Sequence, residues 1–434
     1  MITEKELIDA LETAKRDGKP QDQINAYFRL GHHYLGEGDT PKGLTQFDQA
    51  INVAKSSKNK LAEATLEGLI GISLRQIGNY DSSMQALRRS LRLSKTLEDP
   101  LLECDALYQI GALLVDQGEP LEAISHLDKA LIIAIKNQDN QRKLAVTNLM
   151  GNIFLSIESV DKAIENYTTA LETAKEIGNK EAEAASHLHL AQALYQDEGY
   201  DAAIENFENA LSIADQMGAL TIEMQALNGL MNACIMENRT SKAIVYGEQL
   251  VNKARTTGNH EYEVQAIFIL SDILAKNSKF EKQIKHLLQG LEVAQKNPDM
   301  DWGLNFLSEL GIAYYQMDDL ENALKYTDQA KDLADRFKKK NEAAVLSGRL
   351  ASIKADLGDL DASTALAQEA IALSEELEIP MLASQQYVIL AMNFNDLGET
   401  ALAKEHIQRA IDLYRSLDQE ELLNQAEKVL ESFG

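Results

Sequence analysis

The sequence predicts an all-α chain built as a solenoid of paired helices, and three observations carry that expectation. The first is a strict internal period of 40 residues. Written in rows of 40, the chain aligns with itself without a gap, and one column reads Gly31, Gly71, Gly111, Gly151, Ala191, Met231, Ser271, Gly311, Ala351 and Ala391. A fixed period of this size is the signature of a repeat array in which each unit buries its apolar face against its neighbours. The second is helical spacing inside every row. The third is composition: hydrophobic residues make up 45%, aromatics only 6%, and there are 6 prolines, which suits helices better than sheet.

The elements follow in chain order. Leu7, Ala10, Leu11 and Ala14 align with Phe47, Ala50, Ile51 and Ala54, so residues 1–18 read as a lone helix of the second type. Thr3-x-x-Glu6 supplies a capping box for it. Residues 19–419 then hold ten repeats of two helices. In the third, Ala106, Leu107, Ile110, Leu113 and Leu114 give the first helix, and Gly118-Glu119-Pro120 breaks it. Ala123, Ile124, Leu127, Ala130, Leu131 and Ala134 give the second. The break recurs as Gly38-Asp39, Gly78-Asn79, Gly358-Asp359 and Gly398-Glu399, and a second break as Gly178-Asn179, Gly258-Asn259 and Pro380. Small residues recur again at Gly43, Ser83, Ala123 and Ala163, and at Ala50, Ser90, Ala130 and Ala170. They mark where two helix axes approach closely. Leu422, Leu423, Ala426, Leu430 and Phe433 make residues 420–434 a lone first-type helix. The expected total is about 22 helices, with the two single ones as caps.

These motifs resemble a known family. Ala106-Leu107-Tyr108-Gln109-Ile110-Gly111, Gly78-Asn79-Tyr80 and Ala203…Phe207…Ala210 are similar to the tetratricopeptide repeat. The period of 40 exceeds the usual repeat of about 34 and resembles the long variety of kinesin light chains, Pins-type adaptors and bacterial peptide-pheromone receptors. The resemblance implies a right-handed superhelix whose first helices line a concave groove for a partner segment. It implies an interaction scaffold or adaptor, not an enzyme. Two other readings are a regulatory peptide receptor or response-regulator inhibitor of the pheromone-sensing type, and an assembly factor for a large complex.

Charge and chemistry narrow the field. Lys and Arg number 42 against 68 Asp and Glu, a formal charge of −26. So acidic a chain repels phosphate, which argues against nucleic acid. No run is long and apolar enough for membrane insertion. Cys104 and Cys234 lie too far apart for a metal knuckle, and the start of the chain has no apolar signal core, so the expected location is cytoplasmic. His32-His33 and His187-Leu188-His189 lack the i, i+4 spacing of a helical zinc site, so no metal, cofactor or catalytic residue is expected.

Two candidate interaction sites remain. Residues 41–100 carry nine Lys and Arg against six Asp and Glu, and Arg88, Arg89 and Arg92 cluster on one second-type helix. They form a candidate docking patch for an acidic partner or for another copy of the chain, a homo-oligomer. The second site rests on the resemblance, which places concave positions at −6, −3, −2, +1, +4 and +5 around the small column. In repeats four to six these hold Asn148, Asn152, His189, Gln192, Gln196, Gln225, Asn228 and Asn232, and no Asp, Glu, Lys or Arg. Amide side chains offer a donor and an acceptor together, matching an extended peptide backbone. Leu149, Leu155, Leu188, Tyr195, Ile235 and Met236 are expected to form apolar pockets between them. Repeats six and seven break the pattern. Met231, Leu250, Gln283 and Gly290 occupy packing columns, and Gly247 and Gly290 sit inside helices, marking a candidate bend.

Overall fold

A computed structural model describes residues 3–296 and 302–434. Among the described residues there are 22 helices and no strand. The chain divides into two compact units, Met1–Glu237 and Asn238–Gly434. The first contains α1 (Glu4–Asp17), α2 (Pro20–Gly36), α3 (Thr40–Ser56), α4 (Lys60–Gln76), α5 (Tyr80–Leu97), α6 (Pro100–Asp116), α7 (Pro120–Lys136), α8 (Asn140–Ser156), α9 (Val160–Glu176), α10 (Lys180–Gln196), α11 (Tyr200–Met217) and α12 (Leu220–Met236). The second runs from α13 (Thr240–Thr257) to α22 (Glu420–Ser432) and includes α14 (His260–Lys276), α15 (Phe280–Lys296), α16 (Trp302–Gln316) and α18 (Lys340–Asp356).

The turns have a finer period than the sequence repeat. Every twentieth residue from Gly18 to Asp418 has a positive φ, residue 298 lying outside the described residues. Glycine holds nine of these positions, where the left-handed backbone carries no Cβ penalty. Lys58, Glu98, Gln138 and Glu158 are among the residues that hold the others. Most of these turns close by a bond from the following residue back into the helix, as in Asp39 N–H to Tyr34 O at 2.9 Å and Glu119 N–H to Leu114 O at 2.8 Å. That following residue is often Asp or Asn, whose side chain caps the next helix. Asp39, Asn79 and Asp139 accept from the backbone of Lys42, Ser82 and Arg142. At the start of the chain both halves of the Thr3–Glu6 capping box form.

The glycine column sets how closely the helices of a repeat approach. A Cβ built on Gly111 would lie 2.8 Å from Leu127 Cγ, and one on Gly151 would lie 2.6 Å from the Tyr167 ring. Leu127 and Tyr167 are fully buried. The second helix thus lays one large side chain on the bare backbone of the first.

Of two irregular packing positions on α15, one is compensated. Gly290 reads as a weak point inside a helix, but its backbone receives the Phe306 ring, which would lie 2.5 Å from an added Cβ. Phe306 in turn joins Trp302 and Phe268, with ring centroids 6.1 and 6.3 Å from its own. Volume lost on α15 is returned by α16. Gln283 is not compensated: it is 1% exposed, and its Oε1 has no hydrogen-bond partner. A buried acceptor without a donor costs about 1–3 kcal/mol.

Two outcomes follow from this packing. Gly111→Val should destabilise the first unit by about 1–3 kcal/mol through overpacking against Leu127; an unchanged thermal midpoint would show that Leu127 can move aside. Gln283→Met keeps the volume and removes the unpaired amide, so it should raise the midpoint by the equivalent of about 1–2 kcal/mol. A lowered midpoint would mean that the amide finds a partner in solution.

Candidate functional site

In the first unit, consecutive first helices pack on one another, as α2 on α4, α4 on α6, α6 on α8 and α10 on α12. Second helices are not among the closely packed pairs. A stack whose one side is more tightly spaced curves toward that side. In this unit the first helices therefore line the concave side. The gap in the series falls between α8 and α10, where α9 sends a side chain through. Tyr167 Oη donates to Asn152 Oδ1 at 2.6 Å on α8, and its ring lies 5.4 Å from the His189 ring on α10. Burial raises the Tyr167 phenol to about 12, so it remains a donor.

The eight polar residues expected on this side fall on α8, α10 and α12, three successive first helices. Asn152, Gln192 and Gln196 are exposed, while Asn148, His189, Gln225, Asn228 and Asn232 are half-buried. Two are left unsatisfied. Asn148 Oδ1 and His189 Nδ1 are shielded from solvent and have no hydrogen-bond partner. Burial holds the His189 imidazole below its ordinary value, so near neutral pH it is uncharged. Gln109 Oε1, on α6 one repeat earlier, is orphaned in the same way. The three atoms occupy the −2, −3 and −2 positions of α6, α8 and α10. Gln109 was missed because the amide-only pattern starts at repeat four, although its column position matches that of His189. Leu188, expected in an apolar pocket, is a buried core residue instead. Leu149, Leu155, Tyr195 and Ile235 are half-buried and Met236 is exposed.

The first helices of the second unit present charges that are mostly engaged. Lys276 pairs with Asp272 at 2.7 Å, Tyr315 Oη donates to Asp356 Oδ2 at 2.6 Å, and Arg349 Nη1 donates to Ser308 Oγ at 2.6 Å. Burial lowers the affinity of Arg349 for its proton, although the Glu309 charge opposes this.

The basic cluster on α5 divides. Arg88 and Arg92 are exposed. Arg89 is committed inward, its Nε donating to Glu67 Oε1 at 2.8 Å. Glu67 is buried on α4, and its other oxygen has no partner. A recurring ion pair also bridges the turns between repeats, Lys55 to Glu63 at 3.9 Å and Lys95 to Glu103 at 3.6 Å. Arg255 to Glu263 at 2.7 Å repeats it in the second unit. These pairs stand in columns 40 residues apart, a signal present in the rows.

Glu67 gives a pH test. Burial pushes its carboxyl above the usual 4.5, outweighing the hydrogen bond and charge of Arg89. The folded state then holds this proton to higher pH than the unfolded chain. The stability it contributes is present below 4.5 and is lost as pH rises through the folded value. Glu67→Gln removes the titration, so the variant should gain on the parent in thermal midpoint from about pH 4 to about pH 7. A gap that moves the other way would show that the Arg89 pair outweighs desolvation.

Comparison with known proteins places the repeat. The sequence signature of the Tetratricopeptide repeat family matches residues 22–96, 102–176 and 142–216. Tetratricopeptide repeat protein 29 of Homo sapiens is 26% identical over 154 residues, 36% of this chain and 32% of that protein. Outer dynein arm-docking complex subunit 4 of Bos taurus is 24% identical over 185 residues, 42% of this chain and 26% of that protein. The chain thus spans about a third or less of these relatives' length. Among solved structures, a signal transduction ATPase with a tetratricopeptide repeat sensor from Pyrococcus horikoshii is 16% identical, covering 96% of this chain and 56% of that one, with a TM-score of 0.48.

Proposed function

We propose that this chain, which carries the tetratricopeptide repeat signature over residues 22–96 and 102–216, is a non-catalytic interaction scaffold holding an extended partner segment along the first helices of repeats three to six. The observation that carries this reading is the set of unpartnered polar atoms at Gln109, Asn148 and His189 on α6, α8 and α10. Each costs the free protein roughly 1–3 kcal/mol, and each gains a partner when its side chain turns outward to the backbone of a peptide lying across the helices. Asn228, Asn232 and Gln225 continue the polar line onto α12, and Tyr167 fixes Asn152 from behind. With no Asp, Glu, Lys or Arg at the concave positions of repeats four to six, the segment is held through its backbone and by apolar contacts with Leu149, Leu155, Tyr195 and Ile235. A relative that is a subunit of a docking complex fits this general role; its own partners are not carried over.

The test compares stability and binding in one variant. Asn148→Ala with Asn232→Ala should leave the thermal midpoint of the free protein no lower than the parent's, because Asn148 Oδ1 has no partner to lose. The same variant should hold the partner recovered from native cells by pull-down and mass spectrometry less tightly, by about 1–3 kcal/mol or roughly 5- to 150-fold. Unchanged affinity would remove the groove from consideration. A drop in midpoint would mean that the amides serve the fold instead.

A further inference from the structure

We propose that the outer side of α5 and α7 is a second docking surface, which takes an acidic amphipathic segment of another protein. It is independent of the concave groove and lies on the opposite helices of the same unit.

The surface combines free positive charge with exposed apolar area. On α7, Ile132 and Ile135 are 65% and 56% exposed, one helical turn apart on the outer face. Large side chains this open, set side by side, are unusual on a chain with so many charges to place outside. Forty residues earlier the equivalent positions on α5 are Arg92 and Lys95, so the two isoleucines lie beside a basic strip. The proximity is visible at His126 on α7. Burial first, then the charges of Lys129, Arg88 and Lys95, hold its imidazole below the ordinary value against the opposing charge of Glu122.

The cations differ in their availability. Arg89 is spent on Glu67 and Lys95 leans on Glu103. Arg88, Arg92 and Lys129 are exposed and form no ion pair among the described residues, although Glu122 and Asp128 share the α7 surface. Leu91 on α5 and Leu131 on α7 are half-buried and pack against the core of the unit. A helical segment fits this arrangement, with apolar residues at i, i+3 and i+4 on the isoleucines and carboxylates toward Arg88, Arg92 and Lys129. Nucleic acid fits less well, because the chain as a whole carries −26 and two open isoleucines offer nothing to a phosphate backbone.

The experiment uses the full chain and a fluorescent synthetic peptide of about 18 residues, five helical turns of Glu and Leu at amphipathic spacing. Binding is followed by anisotropy at low and physiological salt, with a Lys-for-Glu peptide, duplex DNA and anionic vesicles as competitors. The acidic peptide should bind and should weaken about tenfold as salt rises across this range. Arg88→Glu with Arg92→Glu should abolish binding, and Ile132→Ser with Ile135→Ser should weaken it at every salt concentration. Asn148→Ala with Asn232→Ala should leave it unchanged, which separates this surface from the groove. Equal binding by the arginine variant overturns the proposal. So does preference for DNA or vesicles over the peptide, or sedimentation showing that a second copy of the chain already covers this face.

Discussion

Five of the repeats depend on one contact, at Gly31, Gly71, Gly111, Gly151 and Gly311: a side chain of the second helix rests on the bare backbone of the first. Leu127 on Gly111 and Tyr167 on Gly151 are two instances. The contact fixes the separation of the two axes, and with it the tilt of each repeat on the next. From that tilt follows the close spacing of first helices, and from the close spacing follows a concave side. A methyl group in the glycine column would therefore act on more than local packing. At Gly151 it would alter the geometry of the helix on which Asn148 is displayed.

Tyr167 shows how the packing residue and the site residue become the same side chain. Its ring fills the space above Gly151, and its hydroxyl emerges on the far side to hold Asn152. Elsewhere Leu, Phe or Thr performs the packing with no such reach. The consequence is a groove whose polar residues are partly fixed before a partner arrives, so less rotamer entropy is lost on binding. The unsatisfied oxygens and nitrogen beside it carry the opposite sign: they weaken the free protein, and in the proposed scaffold a partner that satisfies them recovers that cost. This is the usual exchange between stability and function in a binding surface.

Much of the fold was legible because the rules that made it are local. Helical spacing, glycine at the left-handed turn and Asp or Asn capping the next helix can all be read without knowing any long-range contact. What was not legible depended on a partner residue elsewhere. Lys58 and Glu158 occupy left-handed turns that carry no glycine, held there by the backbone bonds that close the helix ends. Gly290 is a gap in its own helix, and the residue that fills it, Phe306, lies on the next one. Arg89 looked equivalent to Arg88 and Arg92, three charges on one helix, until the buried Glu67 claimed it. The groove was legible as a run of amides, but which of them lack partners, and that Gln109 belongs with them, required the neighbouring helices.

The distribution of charge ties the two surfaces together. A body of −26 surrounds a groove that, through repeats four to six, presents no charged side chain at its concave positions. In the proposed scaffold, recognition there rests not on Coulomb attraction but on backbone hydrogen bonds, which change little with salt and little with the partner's side chains. Selectivity then has to come from elsewhere on the molecule. The outer strip of Arg88, Arg92 and Lys129 has the complementary property: sensitive to salt, sensitive to partner charge and able to speed encounter across an otherwise repulsive surface. A partner that engaged both would gain specificity from the outer contact and persistence from the inner one. Its two binding segments would be linked, so the affinity of the whole would exceed that of either part without any additional contact.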